Sequence, residues 1–193
     1  MKRDELITLL NTYNPTGSET IYKQQMLDFI HNNEDCFERL LEIGHITASA
    51  FLLNKEGTKA LLMHHTKLNM WVQLGGHCDG NSDVKAVALK EAQEESGIEH
   101  IELVSPFIFD IDIHYIPEHK AVPAHYHYDV RFLLRVTSDE IVVQNSESRG
   151  LTWFGYDETL PTDSLSVIRM FDKWKQIDTH GVKKNNHTLI FIR

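Results

Sequence analysis

Three glutamates, Glu91, Glu94 and Glu95, follow a glycine-rich run that reads Gly75-Gly76-His77-Cys78-Asp79-Gly80-Asn81-Ser82-Asp83. Crowded carboxylates bind hard cations, and glycine loops that open a helix receive phosphates. The chemistry suggested is metal-assisted attack on a phosphorylated molecule. The spacing predicts a helix from Val84 to Ile98. Asn81 or Ser82 can cap its start, Asp83 suits the positive end of its dipole, and Gly97 suits its stop. At about 100° per residue, Val84, Val87, Ala88, Glu91, Glu94, Glu95 and Ile98 share one stripe, while Lys85, Lys90 and Gln93 lie elsewhere. Glu91 and Glu95 thus occupy the middle of the face that a helix normally turns to its core. Inward carboxylates must be protonated, paired with a base or bound to a cation. With Lys90 turned away, a divalent metal is the economical solution, Mg2+ or Mn2+ by hardness. A solvated acidic helix end is the plain alternative, and the glycine loop directly before the helix favours the metal site.

This run resembles the Nudix box, G-x5-E-x7-R-E-U-x-E-E-x-G-U, where U is a bulky apolar residue. Gly76, Glu91, Glu94, Glu95, Gly97 and Ile98 hold matching places. Three places depart: Ser82 stands for the first Glu, with Asp83 one place late, Lys90 for the Arg, and Ala92 for the first U. The flanks extend the resemblance over most of the chain after about Ile43. It implies a Nudix-like α/β/α sandwich around a mixed sheet. It also implies a metal-dependent hydrolase that cleaves a diphosphate (pyrophosphate) linkage in a nucleoside diphosphate derivative or similar small molecule. By the same resemblance Glu91 and Glu95 are metal ligands, the Gly75 carbonyl is a further ligand, and Glu94 binds metal or orients the attacking water. In many members a loop Glu before a Trp-containing strand joins the catalytic carboxylates. Glu147, six residues ahead of Trp153, holds that place as general base or extra ligand. The family's loop Glu and helix Arg brace the loop against the helix. With Ser82 and Lys90 in their places, the loop is expected to loosen while the ligands are spared. Two other functions stay open. One is a Nudix-like binding or regulatory domain that has lost catalysis. The other is a diphosphate isomerase, which would use a Cys and a Glu; Cys78 is the cysteine near the site.

The chain has 193 residues, 41% hydrophobic and 24% charged, enough for one well-buried domain with an added element. No apolar run is long enough to cross a bilayer. The start, Met1-Lys2-Arg3-Asp4-Glu5, places acids directly after its bases and reads as no signal peptide. Two cysteines, Cys36 and Cys78, suggest no disulfide framework, and a cytoplasmic location is expected. A formal net charge of −9 without a basic cluster argues against long nucleic acid as partner. A small phosphorylated, nucleotide-derived substrate remains, with metal ions screening the local carboxylates.

The elements that must position this site follow from periodicity. Residues 1–42 read as a helical extension and 43–193 as the Nudix domain. Leu6, Leu9, Leu10 and Tyr13 have helical spacing. Thr16 and Glu19 form a possible capping box for a second helix through His31, with Ile21, Met26, Phe29 and Ile30 apolar. Cys36 to Leu41 reads as a third helical piece. This segment could also carry a homodimer interface. Ile46 to Leu53 and Ala60 to His64 read as a hairpin about Asn54-Lys55-Glu56-Gly57, and Trp71 to Leu74 as a short strand with Trp71 in the core. Ser164 to Trp174 reads as a helix, and Leu189 to Ile192 as an edge strand or a packing segment.

From Phe107 to Ile116 the chain alternates: Phe107, Phe109, Ile111, Ile113 and Tyr115 on one face, Asp110, Asp112 and His114 on the other. His125 to Leu133 does the same, with Tyr126, Tyr128, Val130 and Phe132 opposite His125, His127, Asp129 and Arg131. A hairpin of the two would merge Asp112, His114, His125, His127, Asp129 and Arg131 into one patch. That patch is a solvated sheet face, a metal-binding surface or a substrate surface, with His77, His125, His127 and Arg131 as the substrate-binding candidates.

Overall fold

The structure, a computed structural model, describes residues 3–119 and 122–179. The edge segment expected at Leu189 to Ile192 lies outside the described residues. Helices α1 (Asp4–Thr12) and α2 (Glu19–Asn32) precede strands β1 (Gly44–Leu53), β2 (Ala60–His65), β3 (Met70–Val72) and β4 (Leu74–His77). Helix α3 (Val84–Ser96), strands β5 (Ile101–Leu103), β6 (Asp110–Ile116), β7 (His125–Val136) and β8 (Ser148–Phe154), and helix α4 (Leu165–Thr179) follow. The eight strands among the described residues form one mixed sheet.

β1 is buried along its whole length and is the sheet's hub. It runs parallel to β7 from Gly44↔Tyr126 to Leu53↔Arg135, and antiparallel to β4 and β2 on its other edge. The far edge of β7 takes β6 and then β5, both antiparallel. Because side chains alternate along a strand, β1 feeds two cores. Ile46, Ala48, Ala50 and Leu52 join Val130, Phe132 and Leu134 under α1, α2 and α3. Phe51 and Leu53 join Leu133 under α4, whose Val167, Met170, Phe171 and Trp174 are all buried. Helices cover both faces, the expected sandwich. Each fully buried aliphatic or aromatic side chain contributes roughly 1.5–3 kcal/mol.

α1 and α2 share the core with the sheet. Phe29 stacks on Tyr128 with ring centroids 4.0 Å apart and planes 9° off parallel, and Lys85 on α3 pairs with Glu5 at 2.7 Å. The capping box forms by half. Glu19 accepts from the Thr16 amide and hydroxyl, both at 3.1 Å, but the N-cap position falls to Ser18. Ile21 is 63% exposed, so it is not one of the core positions expected of α2. Residues 36–41 form turns instead of the expected third helical piece. Their carbonyls are used for tertiary bonds: Cys36 O accepts from Ile46 N at 2.7 Å, and Phe37 O from Gly80 N at 3.0 Å. The strand expected over Trp71 to Leu74 is broken at Gln73 into β3 and β4. β6 begins only at Asp110, since Pro106 has no N–H for a ladder and Ser105 turns the chain by accepting from Phe107 N. Phe107 is left exposed, and Phe109 crosses to the second core, where it stacks on Phe51.

The β6–β7 hairpin does merge the polar faces, with Asp110↔Arg131, Asp112↔Asp129 and His114↔His127. The face is not solvated, however: Asp110, Asp129 and Arg131 are at most 1% exposed. Asp110 accepts from Arg131, Arg169 and Lys173. Lys173 also reaches Glu19, which is itself fully buried and bonded to Tyr13. Removing one member of such a set strands the others. Lys173→Met is expected to cost about 3–5 kcal/mol in urea unfolding, whereas Lys175→Met, on the exposed side of α4, should leave the midpoint in place. Equal midpoints for the two variants would remove Lys173 from this role.

Candidate active site

α3 presents the carboxylates, and its ends are set by local chemistry. The cap is Asp83, whose side chain accepts from Ala86 N at 3.0 Å, and not Asn81 or Ser82 as expected. Asn81 instead accepts from Asp83 N at 3.0 Å and holds the capping residue. Gly97 closes the helix in the left-handed region at φ 73°, with its N–H on the Gln93 carbonyl.

Two glycines of β4 receive two glutamates of α3. Gly75 N donates to Glu95 Oε2 at 2.8 Å. A Cβ on Gly76 would meet Glu91 Oε2 at 2.5 Å, so the Glu91 carboxylate occupies the space that any side chain there would need. A Cβ on Gly75 would meet Ser49 Cα at 2.7 Å, and its φ is +156°. Both glycines are therefore fixed by close approach, one to a carboxylate and one to the neighbouring strand. Glu95 is 4% exposed. Glu94 turns outward, contrary to its place in the inward stripe, and accepts from Lys90 Nζ at 3.0 Å. Lys90 also reaches Glu91 at 3.3 Å, so the lysine is not wholly turned away from the cluster.

Burial raises the Glu95 carboxyl to about 8, with the neighbouring charges of Glu91, Glu147 and Glu94 adding to it and the Gly75 amide opposing it. Glu91 is raised too, by burial, then moderated by Lys90, with Glu94 and Glu147 pushing it up. Glu147, exposed in the loop before β8, thus acts on the buried Glu95 and the half-buried Glu91, and its backbone carbonyl anchors the loop on Thr66 N at 2.8 Å. The donor set is hard oxygen on a surplus of negative charge, which fits Mg2+ or Mn2+. Glu91 and Glu95 present these oxygens beside β4, with Glu94 and Glu147 exposed nearby.

The glycine loop is braced from the N-terminal side. Arg39 grips Asp79 with both its Nε and Nη2, and Gly80 N bonds Phe37 O. Neither contact was legible from residue types alone. Cys78 is 3% exposed, and burial followed by the charge of Asp129 pushes its thiol far above the usual range, which disfavours thiolate chemistry. Both cysteines are free.

His77 follows Gly76 and so points to the opposite face of β4. There it meets His127 and His45, with ring centroids 5.0 Å from each. His125 approaches His127, Nε2 to Nε2, at 3.2 Å. Sequence analysis missed His45, although the polar sequence His45, Thr47, Ser49 at every second place of an apolar strand marks the same face. Arg131 lies behind the histidines, 1% exposed, with its guanidinium on Asp129, Asp110 and Asp112. Asp129 also accepts from Thr47, Ser49 and Gln73. Burial, then the neighbouring rings, lowers His127 to about 2 and His45 to about 4.

These shifts set a pH dependence. The folded chain binds the Glu95 proton more tightly than the unfolded chain, whose value is 4.5, so stability falls as pH rises towards 8. The lowered histidines act in the opposite sense, but only below their ordinary 6.5. Between pH 6.5 and 8 the Glu95 effect stands alone among these groups. Metal-free protein is expected to lose thermal stability across that window, Glu95→Gln to stay level, and Mg2+ to restore the wild type. A level wild-type profile without metal would contradict the burial of this carboxyl.

The NUDIX domain model matches residues 44–174. No match is found among curated proteins. Among solved structures, a hydrolase of the NUDIX family from Clostridium perfringens is 24% identical, with a TM-score of 0.52 over 69% of this chain and 97% of that one. A C. elegans Ap4A hydrolase in a binary complex is 17% identical, with a TM-score of 0.56 over 70% and 98%. An ADP-ribose pyrophosphatase from Streptococcus suis is 21% identical, with a TM-score of 0.50 over 74% and 94%. At these identities the likeness is one of fold. The domain model adds sequence, over more than half of the chain and across the very glycines and glutamates that pack together in α3 and β4. The chain belongs to the Nudix family of hydrolases.

Proposed function

We propose that this protein is a Mg2+- or Mn2+-dependent pyrophosphohydrolase of the cytoplasm that cleaves the diphosphate linkage of a small nucleotide-derived molecule. The observation that carries this reading is the seating of Glu91 and Glu95 against Gly76 and Gly75. A buried carboxylate, Glu95, bonds the Gly75 amide, and a half-buried one, Glu91, fills the space beside Gly76, so two acids crowd one short stretch of backbone as a bound cation requires. The fold relatives named as an Ap4A hydrolase and an ADP-ribose pyrophosphatase fit the same substrate class.

In this reading Glu91 and Glu95, with the Gly75 carbonyl, hold the metal, which when bound offsets the charge of the diphosphate and acidifies an attacking water. Glu94, exposed on the same helix turn, completes the ligand set or orients that water, with Lys90 fixing its rotamer. Glu147 takes the water's proton or adds a ligand; it stands on a loop, exposed, and its charge reaches both Glu91 and Glu95. His77, His125 and His127 lie across β4 from the two glutamates, and Arg131 is a positioning residue that sets the strand beneath them.

The test is a screen of nucleoside diphosphate derivatives with Mg2+ and Mn2+, with product masses read for cleavage of the phosphate linkage. Glu95→Gln should lose more than the about 10- to 100-fold in metal affinity or activity that follows loss of an outer-sphere partner. Ser82→Ala should leave turnover and melting temperature near wild type, since Asp83 makes the cap. A fully active Glu95→Gln, or a product of unchanged mass, would overturn the reading.

A further inference from the structure

We propose that His45, His77 and His127 form a second metal site, for a borderline transition ion such as Zn2+, with His125 in reach as a fourth ligand. It lies beyond the carboxylate site and does not depend on the hydrolase reading.

Sheet register brings the rings together. His45 pairs with His127 across β1 and β7, and His77 pairs with Thr47, two places along β1. One ring nitrogen from each of His45, His77 and His127 lies within 4.8 Å of the other two. Tetrahedral Zn–N bonds of about 2.0–2.1 Å place ligand nitrogens roughly 3.3 Å apart, so the rings need to close by only about 1.5 Å, within reach of side-chain rotation. His125 and His127 already stand 3.2 Å apart, Nε2 to Nε2. His125 Nδ1 lies 2.8 Å from the Pro123 carbonyl. A proton donated there leaves the Nε2 lone pair facing the cluster, as the outer-sphere partner of a ligating histidine does.

The second observation is His45. It is 3% exposed, and neither of its ring nitrogens has a hydrogen-bond partner. The Leu41 carbonyl acts on the ring, but too weakly to offset burial. A buried imidazole with both nitrogens unpaired, ringed by His77, His125 and His127 at centroid distances of 4.8–5.0 Å, is a costly arrangement without a ligand. Of the carboxylates on this side, Asp112 and Asp129 are committed to Arg131 and Asp79 to Arg39, while Glu147 acts on His77 from an exposed loop. Neutral nitrogen donors select Zn2+ or Co2+ over Mg2+. Glu91 presents oxygen on the other face of β4, so the two sites differ in chemistry as well as place.

The experiment is a Co2+ titration of stripped protein in excess Mg2+, which keeps the carboxylates occupied, followed by Zn2+ competition in a calorimeter. The expected result is one ion per chain with the visible bands of tetrahedral Co2+, displaced by Zn2+. Glu95→Gln should keep those bands. His45→Asn and His77→Asn should lose them, with Zn2+ affinity down by at least about 10-fold. His77 is only half buried, so His77→Asn decides the matter where His45→Asn fails to fold. Absence of tetrahedral bands in the wild type, their survival in His77→Asn, or their loss in Glu95→Gln would each overturn the proposal.

Discussion

Asp110 has no exposed surface, and its charge dictates what packs around it. Burial alone would raise its carboxyl, but Arg169, Arg131 and Lys173 outweigh that and hold it below the usual range. An ion in the interior is tolerated only with its partners in place, so each partner fixes an element. Arg131 fixes β7 against β6, while Arg169 and Lys173 fix α4. Lys173 continues to Glu19 and Tyr13, which fixes the junction of α1 and α2. In the other direction Arg131 continues to Asp129, and Asp129 to Thr47, Ser49 and Gln73. Gln73 immediately precedes the strand that carries the two glycines. One chain of charge-assisted bonds therefore runs from the N-terminal helices to the edge of the site. Such a chain holds only as a set, since loss of one partner leaves a buried charge uncompensated.

A different constraint shapes the catalytic edge. Helix α3 can approach β4 closely only where β4 has no side chains, and it does so with acids. The departures from the family pattern then make physical sense. Ala92 is fully buried where a bulkier residue is usual, in the core shared with β1. Asp83, one place late for the pattern, takes the capping role. Arg39 clamps Asp79 from outside the helix, about half exposed on both sides, so its value lies in geometry more than in energy. The loop is thus braced from the segment before β1.

Much of this was legible in the residues. Gly75, Gly76, Glu91 and Glu95 gave both the helix and its inward acids, because glycine and glutamate in those places have few structural uses. The alternation of Phe107 to Ile116 and of His125 to Leu133 gave a hairpin and its shared polar face. The partners of that face were not legible. Arg169 and Lys173 lie on α4, and Glu19 on α2, so their approach to Asp110 depends on tertiary docking that no local period encodes. For the same reason Arg131 looked like a surface cation and is an interior one. Residues 36–41 misled because Cys36, Phe37 and Leu40 have helical spacing, while the backbone there makes isolated turns, such as Leu41 N on Glu38 O, and gives the Cys36 and Phe37 carbonyls to Ile46 and Gly80.

The parallel pairing of β1 with β7 divides one sheet face into two chemistries. At one end Phe51 and Leu133 pack beneath α4; at the other, His45, Thr47 and Ser49 face His127, Asp129 and Arg131. A register slip of one residue would send the histidines to the helix core and its apolar residues to the polar end, so the pairing tolerates no slip. β4 sharpens the division further. Its glycines meet α3 and β1, and the next residue, His77, turns to the imidazoles. Oxygen donors and nitrogen donors are thus kept apart by one strand of four residues. That separation follows from nothing more than alternation along a short strand, which puts carboxylates and imidazoles on opposite faces of one stretch of chain.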